Sequence, residues 1–412
     1  MPLPTGHTAP LPARRSRSLL RRLLGASALT LLLPGVSQAN SCQADPWPLW
    51  QVFRQHFVQP DGRVLDASTP QQHSSSEGQS YAMFFALVAN DQASFDKLWL
   101  WASNNLAGGD IKQNLPGWIW GLDDKGQWRL LDHNSASDAD LWFAYALSEA
   151  ARLWNTPAYN AQAAQLLANI KAREVAELPG LGMMLLPGVE GFAKPDHFWQ
   201  LNPSYLPVPV LRRLAVVDPK GPWSQIARST ASLIKGVSHN GYVADWVGYR
   251  GTGPDKGLFV IDPVKGETGS YDAIRTYLWA GMTPAKDPLA KPILDSLDGM
   301  ARSVATHGVP PEKVQVQANT SSGDGPFGFS AALLPYFKAR QQPWLQEQQR
   351  ARVDQLMSKS LSPEALQARQ PPYYDFVLSL FALGFMDDRY HFLDDGKLQP
   401  LWETSCPRAA KP

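Results

Sequence analysis

The sequence predicts an all-α fold, an α/α barrel of about twelve antiparallel helices, and three observations carry that reading. Apolar residues recur at helical spacing in roughly twelve segments of about 10 to 20 residues, while strand-like alternation is scarce. Most junctions between them are short and carry Pro, Gly, Asn or Asp, for example Asn90-Asp91, Asn155-Thr156-Pro157 and Thr283-Pro284. No residue-level repeat of about 30 to 45 positions is present, which disfavours a solenoid. In order, the segments lie near 46–58, 77–90, 92–106, 138–155, 158–178, 203–216, 222–237, 270–282, 287–306, 326–340, 342–359 and 372–385. Three connections are longer, 108–135, 179–202 and 239–269, and they hold much of the tryptophan and glycine, as in "LPGWIWG" and "YVADWVGYRGTG". Long ordered loops in a tightly connected helical domain are where binding surfaces are built.

Residues 1–39 have the three parts of a secretory signal. Arg14, Arg15, Arg17, Arg21 and Arg22 form a basic region, "LLGASALTLLLPGV" a short apolar core, and Ser37-Gln38-Ala39 a small-residue cleavage site. The apolar run is shorter than the ~20 residues a membrane span needs, so no membrane is expected as a partner once the signal is removed. The expected mature chain, 40–412, is a single domain in the periplasm or outside the cell. It carries 33 Lys and Arg against 37 Asp and Glu, a balance of about −4 that gives no sign of a nucleic-acid partner. Only Cys42 and Cys406 remain, one near each end, and an oxidising compartment favours a bridge between them. No Cys/His spacing resembles a metal site, and no cofactor is expected.

Acids stand at three helix starts. In "SSSEGQSYAMFFALVAND", Ser74 and Glu77 fit a capping box, so Glu77 is either a cap or a proton donor. Gly78 costs roughly 1 kcal/mol in a helix relative to alanine, a cost that makes sense if a ligand must come close. Ser135 precedes Asp138 by three residues, with Asp140 just after; Ser270 can cap a helix in which Asp272 follows. Each acid complements a helix dipole by ~0.3–1 kcal/mol. In a barrel of alternating inner and outer helices, however, the inner N-termini open at one face, where such acids converge. Convergent carboxylates in a cleft lined with Trp and Tyr point to glycoside hydrolysis, in which one acid protonates the leaving oxygen and another activates water. Burial and the neighbouring Asp138 would keep Glu77 neutral, while Arg275, three residues on, would hold Asp272 ionised.

Among 15 Trp and 12 Tyr, about half of the tryptophans are expected in the core. Trp118 and Trp120, beside Pro116 and Gly117 in a long loop, are the leading candidates to stack on sugar rings, with Tyr205, Tyr271, Tyr373 and Tyr374 near the acids' helices.

These residues resemble a known pattern. "ASDADLWFAYALSEAARLW" is similar to the signature of glycoside hydrolase family 8, "SEGQSYAMFFALVAND" to that family's acid-bearing helix and "SYDAIRTYLWAGM" to its base-bearing helix. "LPGLGMMLLPG", "NPSYLPVPV", "PPEKVQV", "GFSAALLPYF" and "PYYDFVLSLFALGF" resemble the periplasmic branch of the family associated with bacterial cellulose synthesis. The resemblance implies an (α/α)6 barrel that cuts β-1,4-glucan internally, with inversion and without a metal. By motif, Glu77 would be the general acid, Asp272 the general base and Asp138 a carboxylate holding the central sugar. Arg275 would orient Asp272, while Tyr271 and one of Tyr373 and Tyr374 would line subsites or position the water. A glucan chain is then the expected partner, with the cellulose synthase export complex a second. The competing readings are the same fold acting on chitosan, xylan or mixed-linkage glucan, and a non-catalytic glucan-binding partner of an export machine. A serine hydrolase and a zinc hydrolase are disfavoured by the lack of G-x-S-x-G and H-E-x-x-H.

Overall fold

A computed structural model of the chain describes residues 46–405. Contacts divide the chain between Ser41 and Cys42, and the described residues all belong to the second unit. The expected signal at 1–39 and the expected Cys42–Cys406 bridge lie outside the described residues.

Of the fifteen α-helices among the described residues, twelve alternate between an outer and an inner ring: α1 (Pro48–Phe57), α2 (Ser76–Val88), α3 (Gln92–Asn105), α4 (Ser137–Trp154), α5 (Pro157–Arg173), α6 (Val208–Val217), α7 (Trp223–Val237), α8 (Ala273–Met282), α9 (Asp298–His307), α10 (Phe327–Ala339), α11 (Pro343–Ser360) and α12 (Tyr373–Met386). The even-numbered helices are inner. Each packs on the next, α2 on α4 and so on round to α10 on α12, and α12 closes on α2. Burial explains the division. An inner helix meets its neighbours, the barrel centre and the outer ring, so it must be apolar all round; an outer helix needs only one apolar stripe. In α2 every residue except Glu77 is buried. In α11 the buried residues are Leu345, Gln349 and Val353, a single row four residues apart.

Because each outer helix returns the chain, the inner helices run in one direction. Their C-terminal ends connect outward through short turns such as 89–91, 155–156 and 340–342, whereas every connection into an inner N-terminus is long. The face with the inner N-termini therefore carries the loops. At the opposite face a hairpin of Tyr390–Phe392 and Leu398–Pro400 is held by Tyr145 Oη donating to Gly396 O at 2.9 Å and by Leu398 N donating to Glu149 Oε2 at 3.0 Å.

The long connections are not irregular. Ser74–Ser75, Gly117–Leu122 and Trp128–Ser135 form one three-stranded sheet, and Thr268–Gly269, Pro311–Gln315 and Thr320–Asp324 another. Ala193–Lys194, Phe198–Leu201, Val247–Gly253 and Lys256–Ile261 form a four-stranded sheet. These strands are short and glycine-rich, which hides their period of two. Two helices expected from the sequence also differ. The segment expected at 158–178 stops at Arg173, because Val175–Leu178 turns at Pro179-Gly180 and pairs with Gly182–Leu185. The segment expected at 287–306 is split at Ser296-Leu297 into Ala290–Asp295 and α9. Among the described residues, no helix is long and apolar enough to cross a membrane.

Candidate active site

Glu77, Asp138 and Asp272 come together at the inner N-termini of α2, α4 and α8, where exposed helix N–H groups favour negative charge. Two of the three, Asp138 and Asp272, are linked through one guanidinium, which acts on Glu77 only through its charge. Arg275 Nη2 lies 3.0 Å from Asp272 Oδ1 and 3.5 Å from Asp138 Oδ2, and also donates to Ser204 Oγ at 3.1 Å. Arg275 Nη1 donates to Tyr374 Oη at 3.1 Å, and Tyr374 Oη donates in turn to the Tyr271 carbonyl at 2.7 Å. Tyr205, buried at the end of a 3-10 turn ahead of α6, lies 5.7 Å from the Arg275 guanidinium, and its hydroxyl is pushed well up by burial and by the charges of Asp138, Asp272 and Glu77.

The capping expected at these helix starts is redistributed. For α2 the cap is Ser75, not Ser74: Ser75 Oγ accepts from Gly78 N at 3.1 Å. Glu77 does not close a capping box. Its Oε1 accepts from Trp118 Nε1 at 3.1 Å and its Oε2 from Ser76 Oγ at 3.2 Å. Gly78 is explained by a protein neighbour rather than a ligand, since a Cβ there would run into the Tyr373 hydroxyl. Gly78→Ala is accordingly expected to destabilise the protein by about 1–3 kcal/mol, against the ~1 kcal/mol gain that helix propensity alone gives; thermal melting of the variant checks the sign. In α8, Ser270 does not cap; its Oγ donates to the Glu312 carbonyl at 2.7 Å. Asp245, from the 239–269 connection, caps instead, with Oδ1 accepting from Ser270 N at 2.8 Å and Ala273 N at 2.7 Å.

The acids sit in different electrostatic surroundings. Burial, reinforced by the Asp138 carboxylate, pushes Glu77 up to about 8, against the opposing pull of its backbone, Arg275 and Ser76. Burial raises Asp138 to about 6, while Arg275, the Tyr81 hydroxyl at 3.0 Å and the Ala139 N–H at 2.8 Å favour its charged form. Asp272 has a more open side chain, 28% exposed. Asp140 is turned away, fully buried behind the cleft, where burial and Glu174 push it well above the usual carboxylate range. Burial raises the Glu174 carboxyl to about 7, and Glu174 Oε1 accepts from Ser135 Oγ at 2.5 Å.

A cavity of about 230 Å³ is lined by Glu77, Tyr81, Trp118, Arg275, Tyr373 and Tyr374, together with His73 and Asp66 from the loop before α2. Tyr373 and Tyr374 both reach it, the first beside the Glu77 helix start and the second beside Asp272. Trp118 and Tyr271 present 42% and 45% of their surface. Trp120 does not: it packs edge-on against Trp101 and stacks at 5.1 Å on Trp128, with the Arg63 guanidinium 4.5 Å from its ring. Trp128 is the open member of that stack, at 45% exposure. Trp142 is core, packed among Tyr81, Phe84, Trp279 and Phe381. Sequence reasoning missed both Asp245 and Trp128. The pairing of Trp128 with Leu122 across a hairpin is the signal for the second, whereas Asp245 acts 25 and 28 residues away and leaves no local trace.

The family model for glycosyl hydrolases family 8 matches residues 25–387. The chain belongs to glycoside hydrolase family 8. Among curated relatives of this family 8 chain, an endoglucanase of Pseudomonas fluorescens (strain SBW25) is 49% identical over 396 residues, covering 94% of this chain and 99% of the relative. An endoglucanase of Escherichia coli (strain K12) is 40% identical over 376 residues, covering 91% of this chain and 96% of the relative. The crystal structure of an endo-1,4-D-glucanase from Vibrio fischeri ES114 superposes with a TM-score of 0.77 at 38% identity, covering 86% of this chain and 99% of that one. The family 8 barrel also superposes on a Paenibacillus beta-1,3-1,4-glucanase with a TM-score of 0.65 at 16% identity, a likeness of fold alone.

Proposed function

We propose that this family 8 glycoside hydrolase is an endo-acting β-1,4-glucanase that cleaves cellulose chains with inversion, using Glu77 as general acid and Asp272 as general base. The observation that carries the reading is the contrast between the two carboxyls beside one arginine. Glu77, in the cavity lining, is pushed up to about 8, whereas the Asp272 side chain is 28% exposed and held by Arg275 Nη2 at 3.0 Å. A proton donor must be neutral at working pH and a base must be charged, so these surroundings separate the two roles.

In the proposed reaction a glucan chain lies along the cleft over Trp118 and Tyr271, whose open faces stack on sugar rings. Asp138, fixed by Tyr81, Ala139 N and Arg275, hydrogen-bonds the sugar at the point of cleavage. Glu77 delivers its proton to the glycosidic oxygen as the bond breaks. Asp272 takes a proton from the attacking water, which Tyr374 and Tyr205 help to place, and attack from the face opposite the leaving group inverts the anomeric carbon. No step calls on a cofactor. The names of the sequence relatives support glucan over chitosan or xylan. The arginine-rich first 39 residues support export to the periplasm as a mature chain of 40–412, and the stretches shared with the cellulose-synthesis branch support work beside a cellulose synthase export complex.

The test follows a β-1,4-linked oligosaccharide by proton NMR and carboxymethyl-cellulose by viscosity. The expected result is a product that appears first as the α anomer, with viscosity falling well before reducing ends accumulate. A β product at first turnover would rule out inversion; binding without any cleavage would favour the non-catalytic glucan-binding reading.

A further inference from the structure

We infer that Asp245 is a positioning residue for Asp272: by capping α8 from outside the helix it fixes the backbone on both sides of the base and so sets the direction of its carboxylate. This rests on the assignment of Asp272 as the base. Asp272 occupies the N-cap position of α8 and makes no capping hydrogen bond of its own, because its side chain is turned to Arg275. A helix start needs an acceptor for its first N–H groups, and a carboxylate that must face the reacting water cannot also serve as that acceptor. In α2 the conflict is resolved locally, with Ser75 capping and Glu77 free. In α8 no neighbouring side chain does so, since Ser270 Oγ donates to the Glu312 carbonyl.

Asp245 supplies the missing acceptor. A single oxygen takes Ser270 N and Ala273 N at 2.8 and 2.7 Å, bracketing Tyr271 and Asp272, and Asp245 N is itself anchored to the Thr268 carbonyl at 2.9 Å. Asp272 at the α8 N-cap, Arg275 and Tyr277 from α8 and Tyr374 from α12 are the charged and titratable groups that interact with it. Burial and the charge of Asp272 raise Asp245 to about 6, the electrostatic consequence of placing a second carboxylate beside the base. The arrangement persists because both N–H bonds are short and oriented.

Four variants test this: Asp245→Ala, Asp245→Asn, Asp272→Asn and, as a control, Asp91→Ala, which removes the cap of the outer helix α3 (Ser94 N to Asp91 Oδ1, 3.0 Å). Turnover of a soluble cello-oligosaccharide is measured well below every melting temperature. Asp245→Ala should lose roughly 10- to 100-fold in kcat, the scale of a small misplacement of a reacting group, with KM at the parent value. Asp245→Asn, whose amide oxygen accepts the same two bonds, should stay within about threefold of the parent. Asp91→Ala should melt lower and keep its kcat. Unchanged kcat in Asp245→Ala, an equal loss in Asp245→Asn, or a loss confined to KM would each overturn the proposal. So would a loss in Asp245→Ala as deep as that of Asp272→Asn, which would make Asp245 a reacting group. If Asp272→Asn itself keeps most of its turnover, the base assignment fails, and that result is distinguishable from all the others.

Discussion

Glu77→Gln is expected to lose about 10²–10⁴-fold in kcat, the usual contribution of a positioned general acid, while binding cello-oligosaccharides as before and melting at a higher temperature. The stability gain follows from the sign of the shift. Glu77 is raised from an ordinary 4.5 to about 8 in the folded protein, so folding favours its neutral form. Below 4.5 both states carry the proton and glutamine brings no electrostatic advantage. As pH climbs towards 8, the folded parent pays for holding a proton the unfolded chain has released, and the variant does not. The advantage should therefore grow from pH 5 and level off above about 8, on the order of 1–2 kcal/mol once the open edge of the side chain is allowed for, which is a few degrees of melting temperature. Thermal melts at pH 5, 7 and 9 beside initial rates measure both halves. A variant that stayed active and melted lower would return Glu77 to the role of a helix-start residue. In the parent, the same titration should end activity as pH rises through about 8, because the donor is then ionised.

Arg275→Met should be the most damaging single change at this site. It leaves two carboxylates, Asp138 and Asp272, beside one another without the cation that serves both, and breaks the contacts to Tyr374 and Ser204. Removing one partner of a buried ion pair typically costs about 3–5 kcal/mol. Asp138 gives that loss a pH dependence. Arg275 now opposes the upward push of burial on a group already at about 6, so without it the Asp138 carboxyl rises further and takes up a proton. A protonated Asp138 needs no counter-charge, so the deficit in melting temperature should be smallest in acid and largest at alkaline pH. A uniform deficit would mean that the loss comes from packing alone. Activity should fall at least 100-fold at every pH, because Asp272, the proposed base, loses its orientation and Asp138 its anchor.

Much of the barrel was legible because its signal is local. An inner helix such as "SEGQSYAMFFALV" has one non-buried residue, and that residue is the one that faces the cleft. Helix starts bearing Glu77, Asp138 and Asp272 could be read for the same reason. What stayed hidden depends on contacts between distant segments. Ser74 looked like the cap and Ser75 is; Ser270 looked like the cap and Asp245, 25 residues upstream, supplies it. Trp120 and Trp128 are equally aromatic in sequence, and only the tertiary packing, with Trp101 edge-on against Trp120, decides which is open to solvent. The short strands escaped because glycines in "GWIWG" and "VGYRGTG" leave too few side chains to alternate.

The closure of the ring between α12 and α2 also constrains how the chain reaches its native state. α2 finds its last neighbour only when a segment some 300 residues later has been made, and the hairpin bound by Tyr145 and Glu149 follows later still. Early helix pairs can form as they emerge, but each keeps an apolar flank uncovered until the circle is complete. A growing chain of this design remains incompletely folded throughout most of its synthesis. That delay leaves apolar flanks that a holdase can grip.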